Sequence, residues 1–385
     1  MIHPHIPHYF SHHVNREVKE VYWSAAFFNL ALTLTFIFEP IFLYKLGYGL
    51  GQILIFYAFV YFWYSVLIFG GARVTSLIGY KHAMFLGSVF YVLYWLTLYQ
   101  IGSYASLFYF APVLLAIQKS LFWPAYDAEV AISSQKSQRG REVAVLFSTI
   151  ELVTIVGPLL GGAISYFYGF QALFLVGSIL MLFSVYPLFR SKEVYTRHKF
   201  HFRNFIKVFR RYPLNFLGYW GYAEDLMIMT LWPVFMFLTV SSVFHVGTIA
   251  TFASIIATVI MLYLGKLTDR LSKVELVQVG ALVYGLTWVF RFLAKGFWPV
   301  LTFDALTRTG KGFLNVPMIS LTYDLAGSEG SEHAIAYSVF YEFSLAIGKV
   351  LTALSGIVIL ALTGNVFWVF AFVGILTMFY GLLRK

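Results

Sequence analysis

The chain has 385 residues, of which 60% are hydrophobic and only 11% charged, with a mean hydropathy of +0.77. An average soluble domain carries about 25% charged residues, so water is excluded as the main solvent. There is no cysteine, which excludes disulfides, thiolate metal sites and cysteine nucleophiles, and the net charge of +10 raises nucleic acid as a partner until the basic residues are placed.

Residues 1–20 are polar and His-rich. They lack the short apolar core and small-residue cleavage site of a signal peptide, so the first span is expected to be the targeting segment. His3, His5, His8, His12 and His13 are metal-ligand types, but nothing fixes their geometry. A solvated tail is the preferred reading, and neither a metal nor a cofactor is expected.

Each lipid-spanning helix needs about 20 mostly apolar residues. Twelve candidates follow, near 21–44, 50–71, 82–101, 104–127, 142–166, 170–189, 214–241, 245–266, 273–294, 297–325, 333–363 and 365–383. The apolar runs are continuous, as over 53–69, rather than alternating as a lipid-facing barrel requires. The expected fold class is all-α, a polytopic membrane protein.

The basic residues sort by side. With the N-terminus inside, cytoplasmic segments hold the Lys and Arg of the linker and of the even-numbered turns, among them Arg73, Lys81, Arg139, Arg141, Lys266 and Arg270. Outside fall only Lys45, Lys295 and the borderline Arg291. Because short loops rich in Lys and Arg stay cytoplasmic, both termini are expected inside, and no nucleic-acid partner is needed to explain the charge.

Landmarks recur at an offset of 191 to 193 residues: Phe38-Glu39-Pro40 with Leu231-Trp232-Pro233, Lys119 with Lys311, Glu151 with Glu342, and Gly157 with Gly348. An ordered series at near-constant offset implies two parallel six-helix halves, 21–189 and 214–385. Between them 190–213 is a basic linker, in which Phe202, Phe205, Ile206 and Phe209 share one helical face opposite Arg203, Lys207, Arg210 and Arg211. That pattern suits a helix lying in an anionic inner leaflet.

After span 8 the sequence runs Gly265-Lys266-Leu267-Thr268-Asp269-Arg270-Leu271-Ser272-Lys273, which resembles the loop signature G-x-x-x-D-R-x-G-[RK] of the major facilitator superfamily. The equivalent stretch after span 2 keeps Gly79 and Lys81 but has Ser76 in place of the Asp. Span 5 carries Gly157-Pro158-Leu159-Leu160-Gly161-Gly162, similar to that superfamily's GPxxGG core, with Val153 where a small residue precedes it. The resemblance covers the whole chain. It implies a twelve-helix fold of two pseudo-symmetric bundles, alternating access, a cavity lined by spans 1, 4, 7 and 10 with 5 and 11 beside them, and, through GPxxGG, a tilt towards antiport. In ordinary membrane helices the same small residues simply allow close packing.

The loop signature can act as a latch. Asp269 and Arg270 are expected to meet the start of span 5 near Arg139 and Arg141, and a latch of reversed polarity is expected between Arg73 or Lys81 and Glu329 or Glu332.

Ionisable residues inside spans are expensive and therefore functional by default. Asp304, Arg308 and Lys311 fall on one helical face, as do Glu342 and Lys349. The expected cavity lets Lys119, Arg308, Lys311 and Lys349 meet an anionic solute group while Glu39, Glu151, Glu342 or one of Glu224 and Asp225 takes up protons. Neighbours on a helix are about 100° apart, so Glu224 and Asp225 cannot both face the cavity. The alternative is internal pairing, Asp304 with Arg308 and Glu342 with Lys349. The solute or coupling ion is expected to lean on the second half.

No HExxH, GxSxG or P-loop is present, which argues against an enzyme. A secondary transporter of a small polar or charged solute is expected, proton-coupled, monomeric and seated among lipids of the inner membrane. Export by antiport is slightly favoured over symport of an organic anion or zwitterion, and a lipid or glycolipid flippase is the further alternative.

Overall fold

The computed structural model describes residues 16–133, 139–190, 200–268, 273–327 and 331–384, and the regular elements among them are helical. Seven segments there are long and apolar enough to cross a membrane: Trp23–Lys45, Leu50–Ile78, Tyr80–Gln100, Leu107–Asp127, Pro213–Val240, Val243–Met261 and Glu332–Thr363. Shorter apolar helices, Leu152–Phe167, Gly169–Val185, Gly280–Leu293 and Val366–Leu382, supply four more. The remaining span is the helix Phe297–Ala326, whose apolar run is interrupted by Asp304, Arg308 and Lys311. Numbered in chain order, these are the twelve spans that the apolar runs predict.

Spans 1 and 7 are broken, for one shared reason. Proline has no N–H and clashes with the carbonyl four residues back, so inside a helix it costs a hydrogen bond and kinks or breaks the chain, whereas in the first turn it costs neither. Pro112, Pro124, Pro158 and Pro317 sit inside continuous helices, but Pro40 and Pro233 mark restarts. Arg16–Thr35 therefore stops before Pro40 and a second piece, Glu39–Lys45, restarts with Pro40 in its first turn. Span 7 runs as Pro213–Gly218, a 3-10 stretch Tyr219–Glu224, Asp225–Met229 and then Leu231–Val240, which restarts at Thr230 ahead of Pro233. The breaks set Glu39 and the Glu224–Asp225 pair at helix discontinuities inside the protein.

The halves meet along two seams, span 2 against span 11 and span 5 against span 8. At the second seam the two faces of GPxxGG serve different neighbours. Gly157 and Gly161 lie against Thr33 and the Leu34 carbonyl of span 1, whereas Gly162 lies against Val243 and Gly247 of span 8, and Gly247 in turn abuts the Pro158 carbonyl. A side chain at any of these would collide with backbone or with Thr33, which is why small residues are needed there.

Spans 2 and 3 are joined by Gly79 alone, at φ +93°. Only glycine adopts that conformation without strain, so the glycine retained in the degenerate first loop has a backbone reason.

Phe202–Arg211 is a helix, and protein covers part of its aromatic face: Phe205 is buried against Phe69, Phe340 and Phe343, and Phe209 packs on Phe216, while Phe202 and Phe209 remain exposed. Amphipathicity establishes that a face must be covered without saying by what. Arg291, the borderline candidate for the outer side, lies in the 3-10 turn Phe290–Leu293 and is 0% exposed.

Candidate functional site

Between the seams lies a cavity of about 300 Å³ lined by spans 1, 2, 4, 7, 10 and 11. Span 2 contributes Tyr61 and Tyr64 to this lining. A second cavity of about 190 Å³ sits in the first half and shares Phe28, Asn29, Tyr61, Lys119, Trp123 and Met229 with the central one.

The second half holds a buried charge cluster. Asp225 is paired with Lys311, and through its other oxygen with Lys349 Nζ at 2.9 Å. Glu224 lies 3.7 Å from Lys311 and accepts a bond from Tyr380 Oη at 3.3 Å. Asp225 lines the cavity; Glu224 is 0% exposed and turned into the second half, which settles which of the neighbours faces inward. Two acids and two lysines from spans 7, 10 and 11 thus compensate one another within one half.

A separate group sits deeper in the same half. Asp304 accepts bonds from Trp232 Nε1 and from Arg308 Nε, both at 2.8 Å. The Arg291 guanidinium stacks between Trp288 and Trp232, with its carbon 3.3 and 4.0 Å from the ring centroids, and donates to Thr307 Oγ1 at 2.6 Å. Indole faces attract cations, and a desolvated stack of this kind is worth about 2 kcal/mol. Arg308 therefore belongs to an internal pair and is not part of the cavity lining. Of the two pairs weighed from sequence, Asp304 with Arg308 is present, whereas Glu342 and Lys349 take other partners.

The first half is built differently. Glu39, 3% exposed, accepts bonds from Trp95 Nε1 and Tyr94 Oη, each at 2.8 Å, and from Tyr57 Oη at 3.4 Å. All its donors are neutral aromatic groups. Lys119 lines both cavities, makes no ion pair among the described residues, and lies 5.4 Å from the centroid of the Tyr61 ring.

Across the cavity the halves are tied by tyrosine hydroxyls. Tyr64 donates to Glu342 Oε2 at 2.9 Å, Tyr323 donates to Asp127 Oδ1 at 3.1 Å, and Lys349 Nζ donates to Tyr61 Oη at 3.3 Å. Among the described residues, the ion pairs of Asp225, Glu224 and Asp304 lie within the second half, and tyrosine hydroxyls bridge the two halves at the cavity. A hydroxyl bond is cheaper to break and remake than a buried ion pair, so this division permits the halves to rock.

The sequence reading missed Asp127, Tyr61, Tyr64, Tyr222 and Tyr323. Asp127 is two helical turns beyond Lys119 on the same face of span 4, and a face count could have found it. The tyrosines carried no such signal among the 27 in the chain.

Several expected residues fall elsewhere. Asp269, Arg270 and Glu329 lie outside the described residues, as do the side chains of Glu151, Arg139 and Arg141. Lys81 is buried, Arg73 is exposed, and Glu332 accepts a bond from Asn204 Nδ2 of the linker helix at 2.6 Å.

The fold is found in solved transporters. The chain superposes on an auto-inhibited POT family peptide transporter with a TM-score of 0.73, 12% identity and 96% of each chain covered. On the Escherichia coli fucose:proton symporter the TM-score is 0.66 with 12% identity, covering 94% of this chain and 96% of that one. At such identity the likeness shows the fold alone.

By sequence the chain is 25% identical to Multidrug resistance protein 2 of Bacillus subtilis (strain 168) over 65% of this chain and 66% of that protein. It is 31% identical to a Na(+), Li(+), K(+)/H(+) antiporter of Planococcus maritimus over 19% of this chain and 18% of that protein. The matches thus span less than two thirds of these relatives' lengths. The family model of the Major Facilitator Superfamily matches residues 21–238, more than half of the chain, so the protein belongs to that superfamily and is a multi-pass membrane transporter, not an enzyme.

Proposed function

We propose that this transporter moves a small polar or charged solute across the cytoplasmic membrane by alternating access, coupled to protons, with export in exchange for protons as the first reading. The carrying observation is the division of polar contacts around the cavity: compensated ion pairs within the second half, tyrosine hydroxyls between the halves. Among the described residues at the cavity, rocking then breaks hydroxyl bonds rather than ion pairs.

Proton carriers follow from the same division. Protonating Asp225 would cost two ion pairs, whereas Glu39, Asp127 and Glu342 are held by neutral donors and would lose none. These three are the acids assigned to proton uptake. Exchange is supported by GPxxGG in span 5 and by the names of the relatives, a multidrug resistance protein and a cation/proton antiporter. Symport of an organic anion is the second reading, favoured by Lys119, which makes no ion pair among the described residues.

The test is uptake into proteoliposomes of a panel of organic anions, cations and zwitterions under an imposed pH gradient. Accumulation of at least one solute that collapses with a protonophore is expected. Accumulation that ignores both gradient and protonophore would overturn the coupling.

A further inference from the structure

We propose that the cavity in the first half is a carboxylate subsite, built from Lys119 and Gln118, for a small solute with an apolar or aromatic body. The proposal rests on the reading of the central cavity as the solute path, and not on the direction of transport.

Two independent donors point to it. Gln118 is 1% exposed, lines this cavity, and its Nε2 has no hydrogen-bond partner among the described residues. A buried amide donor left unmade is costly, so its persistence calls for an acceptor that arrives from outside the chain. Its neighbour Lys119 lines the same cavity and makes no ion pair among the described residues. A carboxylate is acceptor-only, with two oxygens, and matches one ammonium and one amide donor.

Competing acceptors are already engaged. Glu39 also lines this cavity, but its two oxygens are taken by Trp95, Tyr94 and Tyr57. Lys311 and Lys349, the cavity lysines of the second half, are compensated by Asp225 and Glu224. The remaining walls are mostly apolar or aromatic, Phe28, Phe36, Leu115, Tyr91 and Trp123 among them, with Asn29 and Thr33 as polar exceptions, and they suit an apolar or flat body.

The subsite is reached from the central cavity through their shared residues Tyr61, Lys119 and Trp123. A solute seated there therefore spans from the first half towards Asp225 and Glu342. The proton-accepting Glu39 stands in the same pocket, so its charge and that of the solute oppose each other.

The experiment is equilibrium binding to the purified full chain, by calorimetry and tryptophan fluorescence, with phenylpropionate, its amide and phenylpropylamine as probes. Phenylpropionate is expected to bind about tenfold or more tighter than either of the others, because its bonds are charge-assisted. Lys119→Gln is expected to lose about tenfold, Gln118→Leu several-fold, and Lys119→Arg to retain most of the affinity, with the elution profile on gel filtration unchanged in all three. A carboxylate that binds no tighter than its amide, or an affinity untouched by Lys119→Gln, would overturn the proposal. Binding requires no proton movement, so its failure alone removes the subsite, and failure of gradient-driven uptake alone removes the coupling.

Discussion

Lys349 on span 11 donates to the Asp225 carboxylate on span 7 at 2.9 Å while Lys311 on span 10 reaches its other oxygen, so one acid ties three spans of the second half together. Removing one partner of a buried pair leaves an uncompensated charge and costs about 3–5 kcal/mol. Asp225→Asn is expected to lower the thermal midpoint sharply and to abolish transport. Adding Lys349→Met restores the balance of Glu224 with Lys311 and should recover stability without recovering transport. Thermal unfolding in detergent checks this; a single variant as stable as the parent would contradict it.

Glu39 makes a different prediction, because its three donors are neutral. Glu39→Gln keeps an acceptor for those donors and imitates the protonated acid. The variant should fold, exchange solute in the absence of a gradient, and lose accumulation driven by a pH gradient. Glu39→Ala would instead strand buried donors at about 1–3 kcal/mol each and should destabilise the protein. Paired exchange and accumulation assays separate the two effects.

The packing of span 5 against spans 1 and 8 is testable through glycine. A Cβ at Gly247 would meet the Pro158 carbonyl, and one at Gly161 the Leu34 carbonyl, whereas one at Gly70 meets nothing within 4 Å. Gly247→Ala and Gly161→Ala are expected to cost about 1–3 kcal/mol and to slow transport. Gly70→Ala should be neutral or stabilising by about 0.5–1 kcal/mol. Thermal midpoints of the three variants, measured side by side, give the answer.

The tyrosine bridges predict a shift in conformation. Tyr64→Phe and Tyr323→Phe each delete a bond to a carboxylate that crosses between the halves, and together should shift the equilibrium between conformations by at least about tenfold. The chain has no cysteine, so spin labels at Leu77→Cys and Gly327→Cys report the separation without background. The double variant should populate a longer distance than the parent. An unchanged distribution would show that these hydroxyls do not hold the halves.

Much of the fold was legible because a membrane span needs a long apolar run. The span 5 glycines read as close-packing residues from sequence, whereas the restarts at Pro40 and Pro233 and the positive φ of Gly79 are visible only in the structure, since Pro112, Pro124 and Pro317 sit inside continuous helices. Side-chain orientation was not legible, since lipid-facing and core-facing residues are equally apolar and hydropathy does not tell them apart. Arg291 shows this most clearly: the end of span 9 reads as borderline for the outer side until Trp232 and Trp288 from two spans close over it. Lys119, Lys311 and Lys349 are found from their charge, but that Lys311 and Lys349 are paired while Lys119 makes no ion pair among the described residues depends on contacts between distant spans. The expectation that the charged solute or coupling ion leans on the second half rests on the acidic loop and the charged face of span 10 that this half keeps, and the subsite proposed above lies in the first.

Coupling is tested most directly by proton movement that accompanies solute movement. With purified protein in liposomes enclosing a pH-sensitive dye, solute added outside should alkalinise the lumen if entry is exchanged for protons, or acidify it if they enter together. Either response should vanish in Glu39→Gln. Solute accumulation with no change in luminal pH would contradict a proton-coupled transporter.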